Sequence, residues 1–409
     1  MKTVMVLGAA IGQVPLIQKI RGMGFRAVAV SCAGDYPGFT AADEYAIADI
    51  LDKQAVLEIA RQKSVCGIVF DQSEIGVRTA AWVCEQLGLA CMPYATACLF
   101  TDKALTYERC RRLGIPSPEQ YAVQTLQEAI EAAHKIGLPV MIKPADSSGS
   151  CGVHLVSKSS EAASAFSDAM RFSVSKTVLV QEYVRGQEIV SGGLVSNNQV
   201  ATIAVGRREN FRVKNPYIFS ATYFPGQVAT SVADRIAAWN ERLYKDAGIA
   251  AAMFQAEYIV QPEGRIVLID AAARGGGAFL SSHVIPLATG FDLHAAYIQA
   301  ACGQAVALPD KTAYCSAAGY VCFLLPKGKI VHVSGLDAIA SMPGVAYHSV
   351  NGLAVGKETQ EPTDKRFRCG PIVLCGKTQA DLDAARNRLK QTIDVQVQTE
   401  RGIEGPIWE

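Results

Sequence analysis

The sequence predicts an α/β domain on a parallel sheet at the N-terminus, then α+β domains, then a small α+β domain at the C-terminus. Three observations predict it. Apolar strands alternate with amphipathic helices over the first 95 residues, helices mix with hairpin-like strand pairs from 96 to 305, and strands with a single helix fill 306–409. A chain of 409 residues suits two or three domains at about 100–200 residues each. With 50% hydrophobic and 19% charged residues it has ample core, which excludes a disordered chain. A net charge of +1, from 39 basic and 38 acidic residues, leaves no electrostatic footprint for nucleic acid or an anionic membrane.

In the first domain (1–95), the strand "TVMVLGA" is followed by a helix around "QVPLIQKIRGMG". Next come the strand "RAVAVS", the strand "EYAIADI", the helix "KQAVLEIARQK", the strand "CGIVFDQ" and the helix "GVRTAAWVCEQLG". This spacing implies parallel strands with right-handed crossovers. The first turn, "GAAIG", has two of the three glycines of a dinucleotide fingerprint, a weak signal. "GIPSPEQY" (114–121) ends a helix with two prolines and leads into a strand. The second domain (96–305), with a lid lobe of about 120–190, carries "TVLVQEYV", "QEIVSGGLVSNNQVATIAVG" and "AMFQAEYIVQPEGRIVLIDAA". The third (306–409) carries "YVCFLLP", "KIVHVSG" and "CGPIVLCG" with a helix near "QADLDAARNRLKQ". The twelve cysteines sit singly in apolar segments without zinc spacing, so they are expected as free, buried hydrophobes. With no export signal at its start and no apolar run near the ~20 residues of a membrane span, the chain is expected to be cytoplasmic.

The chemistry-bearing residues begin with "VMIKPADSSGSCGV" (140–153). Lys143 ends a strand and precedes small residues whose amides can meet anionic oxygen, whereas a P-loop places its lysine after them. Lys103 lies in the first turn of a helix that Thr101 or Asp102 would cap. In "MFQAEYIVQPEGRIVLIDAAARGGG" an even-numbered loop would set Glu257 opposite Leu268, with Asp270 two positions on along the same face. Such neighbours lie ~7–8 Å apart, close enough to hold magnesium with substrate phosphates; an odd loop would put Asp270 on the other face. Continuing the alternation, Arg274 lies beside Asp270 and suits a transferring phosphoryl group. Glu182 and Glu188 flank a glycine turn where a purine and ribose would fit. "CGPIVLCGKT" only mimics a P-loop, with five residues where the motif needs four, and is expected as a strand and turn.

In order, these segments resemble the ATP-grasp superfamily over roughly residues 1 to 305. They are an α/β domain, "DK", "IKP" with a small-residue loop, "QEYVRGQE", a glutamate-bearing strand, and an acid shortly before Arg-Gly-Gly. The resemblance implies two antiparallel sheets closing over ATP. It implies that Lys103 and Lys143 contact the α- and β-phosphates, and that Ser147, Ser148, Gly149, Ser150 and Gly152 cover the β- and γ-phosphates. Glu182, with the backbone of Tyr183 and Val184, would meet adenine, and Glu188 the ribose. Glu257 and Asp270 would hold magnesium (or manganese), and Arg274 would steady the phosphoryl group. One departure is Ala272, where the family usually has asparagine. The branch most similar is the amino-acid ligases with a carbamoyl-phosphate-synthase-like first domain. This implies a carboxylate–amine ligase working through an acyl phosphate on small molecules, as a homodimer. The alternatives are a bicarbonate-using enzyme and, from Ala272, an ATP-binding protein without catalysis. Arg207, Arg208, Lys214, Ser281, His283 and Glu74 are candidate substrate contacts.

Overall fold

The computed structural model describes residues 1–147, 149, 151–213 and 217–409. The first sheet is parallel, in the order Glu44–Ile47, Arg26–Ser31, Thr3–Leu7, Val65–Val69. Its inner strands read as continuous apolar runs because both faces are covered. Met5, Leu7, Val28 and Ile68 pack against Val56 and Leu57 of the helix Lys53–Gln62 and Val77 and Ala80 of the helix Val77–Leu87. Val4, Val6, Ala27 and Ala29 pack against Leu16, Ile17 and Ile20 of the helix Val14–Gly22. Leu293, Tyr297 and Ile298 join this second layer from the helix Leu293–Ala301, so an element from far along the chain fastens the parallel sheet to the centre of the molecule.

The lid is an antiparallel sheet in the order Gln120–Val123, Val178–Glu182, Val140–Pro144, His154–Val156. The two-residue period of a strand sends Val140, Ile142, Val178 and Val180 toward the alanine-lined helices Leu126–Ile136 and Ala162–Phe172. The same period turns Met141, Lys143 and Gln181 the other way.

The largest sheet has eight strands, in the order Ile266–Ala272, Ala251–Val260, Gln187–Ser196, Gln199–Asn210, Phe219–Phe224, Ala317–Phe323, Cys369–Gly376, Val345–His348. It runs without interruption across residue 306, so strands from the end of the chain extend the same surface. "CGPIVLCG" is one of them, as its apolar residues require. A smaller sheet, Glu358–Thr359, Gly328–Ser334, Asp394–Thr399 and Gly402–Glu404, completes the fold. No helix among the described residues is long and apolar enough to cross a membrane.

Gly193, mid-strand in the large sheet, is a point where close packing outweighs propensity. A Cβ there would lie 2.1 Å from the Ala201 carbonyl oxygen and 2.5 Å from the Phe254 ring. Strand propensity alone favours valine over glycine. The packing predicts the opposite sign: Gly193→Val loses about 1–3 kcal/mol, read as a lower midpoint in thermal unfolding.

Candidate active site

Four adjacent strands build the floor of the site. Glu188 begins Gln187–Ser196, and pairing sets it opposite Ile259 while Glu257 lies opposite Val190, so the two glutamates share a face. Arg208, on Gln199–Asn210, reaches both: its Nη1 lies 3.0 Å from Glu188 Oε1 and 2.7 Å from Glu257 Oε1. The guanidinium is 4% exposed and sits 3.8 Å from the Phe219 ring centroid. Burial alone would push the Glu257 carboxyl up, but the Arg208 charge outweighs it and holds the group at about 2. Glu188 goes the other way, because burial outweighs its share of Arg208.

The fourth strand corrects the expected register. Gln261 bonds Arg265 and Val260 faces Ile266, so the hairpin is odd-numbered, the parity that should have turned Asp270 away. A bulge at Ile269 reverses this: Tyr258 pairs with Leu268, but Glu257 pairs directly with Asp270. One extra residue in one strand shifts the facing of everything after it. The carboxylates are therefore cross-strand partners and not diagonal neighbours. Tyr107 secures the bulge, its hydroxyl donating to the Ile269 carbonyl.

The same hydroxyl accepts a hydrogen bond from Lys143 Nζ (3.2 Å), which also donates to Gln181 Oε1 (2.9 Å). Burial, reinforced by the nearby Lys103 charge, lowers the Lys143 ammonium to about 8. Lys103 opens the helix Lys103–Arg112, capped by Asp102, which accepts from the Ala104 and Leu105 amides. Its backbone N–H donates to the Ala145 carbonyl, tying this helix to the end of the lid strand. Burial would depress the Lys103 ammonium, but Asp270, 3.2 Å away, and Glu74 outweigh it and raise it. Arg274 pairs with Glu74 of the N-terminal domain at 3.5 Å.

Glu74, Lys103, Lys143, Gln181, Glu188, Arg208, Glu257, Asp270 and Arg274 line one cleft of about 1030 Å³, together with Ser147, Gly149, Glu182, Tyr183 and Val184, and Tyr107 acts on it through its bond to Lys143. Gly152 does not line it. Its Cβ position is blocked by Phe172 (2.9 Å) and Pro144 (3.2 Å), and its φ is +68°, so it serves the packing of the turn. Ser148, Ser150 and Lys214 lie outside the described residues. Arg207 pairs with Glu209. Ser281 is buried beneath Gly276, accepting from its amide, and His283 stacks on Tyr347 in a separate hollow. Sequence reasoning missed Tyr107 and Gln181, and it missed Lys365 in the last domain. The Lys365 ammonium lies 3.8 Å from the Phe219 ring centroid and makes no ion pair or hydrogen bond among the described residues. Burial pulls it down to about 8 despite Glu257.

No cluster of three or more His, Cys, Asp or Glu suited to a metal occurs among the described residues. Glu257 and Asp270 nonetheless fit magnesium. Each has one oxygen engaged, Glu257 Oε1 by Arg208 and Gln255 and Asp270 Oδ1 by Lys103 and the Ala271 amide. The second oxygen of each has no partner among the described residues. Two carboxylates completed by phosphate oxygens are the set magnesium prefers.

Removing Arg208 should expose how much the floor depends on it. Arg208→Met leaves two buried carboxylates without their cation, which costs about 3–5 kcal/mol. Glu257 has a depressed folded pKa, so the stability it gains from Arg208 is present above its ordinary 4.5 and is lost as pH falls toward about 2. Denaturant unfolding should show the full deficit of the variant at pH 7 and a shrinking one below pH 4.5.

Known proteins share this fold. Residues 102–308 match the family profile "Carbamoyl-phosphate synthase L chain, ATP binding domain", and residues 322–398 match "L-amino acid ligase C-terminal domain 2". Two curated relatives are formate-dependent phosphoribosylglycinamide formyltransferases. That of Ignicoccus hospitalis is 24% identical over 267 residues, 63% of this chain, and that of Bacteroides thetaiotaomicron 29% over 163 residues, 39% of it. The alignments span 66% and 42% of those proteins' own lengths. Among solved structures, L-amino acid ligase from Bacillus licheniformis superposes with a TM-score of 0.83 at 17% identity, covering 98% of this chain and 99% of its own. Phosphoribosylglycinamide synthetase from Anaerococcus prevotii gives 0.75 at 16%, covering 96% and 99%. The fold is that of the ATP-grasp enzymes, and through residues 102–308, half of its length, the chain belongs to the family of the carbamoyl-phosphate synthase L chain ATP-binding domain.

Proposed function

We propose that the chain is an ATP-dependent carboxylate–amine ligase acting on amino-acid-like substrates through an acyl phosphate. The observation that carries this reading is the convergence in one cleft of Lys143 from the lid and Lys103 from the helix beside it with the Glu257–Asp270 pair on the floor. In the reaction, a substrate carboxylate oxygen attacks the γ-phosphorus of ATP and ADP leaves. An amine nitrogen then attacks the acyl carbon, phosphate leaves, and the amine gives up a proton. Magnesium, held by Glu257 and Asp270, would neutralise phosphate charge. Lys143, aimed by Tyr107 and Gln181, binds the polyphosphate, and Lys103 supports it. Arg274 stabilises charge on the transferred phosphoryl while Glu74 fixes its direction. Lys365 offers an uncommitted ammonium to the substrate carboxylate. Closing the lid sheet over the floor keeps water from the acyl phosphate.

The test is a screen of amino-acid pairs for phosphate release, followed by mass spectrometry of the product. The expected result is release that requires both a carboxylate and an amine, lost in Arg274→Ala. ATP binding without stimulation by any such mixture would overturn the ligase reading in favour of a nucleotide-binding protein, which Ala272 motivates, and release with bicarbonate alone would favour a carboxylating enzyme.

Lys143 gives a pH signature. Its ammonium is charged below about 8 and neutral above, so its attraction for phosphate is present at pH 7 and lost as pH rises through 8. Metal-free ADP affinity by calorimetry should fall several-fold between pH 7 and 9. Lys143→Met should bind weakly throughout, with that slope largely gone.

A further inference from the structure

We infer that Gln255 is the positioning amide of the carboxylate pair, supplying from the neighbouring strand the group that position 272 lacks. The inference rests on reading the cleft as a nucleotide–metal site. In the ladder Gln255 pairs directly with Ala272, two residues from the Glu257–Asp270 pair and on the same face. Direct cross-strand partners have Cβ atoms about 4.5–5.5 Å apart, so a side chain from either strand can fill the space there. Alanine on one strand leaves that space to the glutamine on the other.

The glutamine is committed to the site. Its Nε2 donates to Glu257 Oε1 at 2.6 Å; the reverse orientation would set two acceptor oxygens against each other. With Arg208 at 2.7 Å on the same oxygen, two donors fix the carboxylate and leave Oε2 for a cation. Gln255 itself is 9% exposed, lines the cleft, and has a buried Oε1 without a partner among the described residues. The backbone after Arg274 is shaped around it: a Cβ on Gly276 would fall 2.1 Å from Gln255 Oε1. Nothing in a polar residue at an ordinary strand position requires that accommodation, whereas an amide that must stay aimed at Glu257 does. Groups that orient metal-binding carboxylates in this way typically change metal affinity by about 10–100-fold when removed.

The test measures Mn²⁺ binding to the protein–ADP complex by electron paramagnetic resonance of free Mn²⁺, a readout independent of turnover. Gln255→Met keeps length and volume but removes the amide, and should weaken Mn²⁺ about tenfold while metal-free ADP affinity stays unchanged. Adding Ala272→Asn to that variant should restore most of the loss, because the amide then comes from the facing strand. If Gln255→Met misfolds, Gly276→Ala, which pushes the amide away, should show the same weakening. Wild-type Mn²⁺ affinity in Gln255→Met would overturn the inference, and so would a loss that Ala272→Asn does not repair. Absence of Mn²⁺ binding in the unaltered protein would instead remove the nucleotide–metal reading beneath it.

Discussion

The site depends on a single buried guanidinium. Arg208 stands between Glu188 and Glu257 on the floor of the large sheet, and without it two carboxylates would face each other in a poorly solvated place. An isolated buried carboxylate avoids its charge by taking up a proton. That would leave Glu257 neutral and useless toward a cation. The planar fork of arginine can serve two acids at once, and its flat face stacks on Phe219 where an ammonium would keep more of its water. The division is unequal: Glu257 is held deep in its charged form while Glu188 is not. The acid held in its charged form is thus the one Arg208 approaches most closely.

A second constraint ties the floor to the lid. Tyr107 receives a hydrogen bond from Lys143 and gives one to the bulged carbonyl of Ile269. One hydroxyl therefore fixes both the Lys143 ammonium and the irregularity that turns Asp270 toward Glu257. Its helix is anchored at its start, by the Asp102 cap and by the Lys103 amide on Ala145. This helix therefore touches both the end of the lid strand, through Lys143 and Ala145, and the floor strand, through Ile269.

Much of this was legible in the sequence, for reasons that differ by residue. The parallel strands were readable because burial on both faces leaves an unbroken apolar run. Lys143 was readable because a lysine closing such a run, followed by small residues, has few structural explanations. Asp270 was placed on the correct face by an incorrect route: turn parity cannot reveal a bulge, and Ile269 looks like any strand residue. Lys365 left no signal at all. It sits in "TDKRFR", a run that reads as solvated surface, and only the fold brings it against Phe219. Tyr107 was hidden in a helix whose pattern gives no reason to distinguish one buried tyrosine from another. Motifs are read along the chain, but this site is assembled across a ladder, so a position that departs from a family pattern has to be judged with the residue opposite it.

Whole-chain charge shows the same limit. A balance of +1 over 409 residues speaks against long-range attraction of polyanions. Among the described residues that line the cleft, however, nine lysines and arginines meet seven carboxylates, a modest local excess of cations. Several of these groups are nearly inaccessible, Arg208 at 4% and Lys143 at 8%. Charges placed so deep are poorly screened by salt and interact strongly with whatever enters the cleft, because the local dielectric is low. An anionic ligand would therefore be held by the lining of the cleft itself and would owe little to the net charge of the protein. This is why near-neutral composition and a cleft with buried cations coexist in one chain.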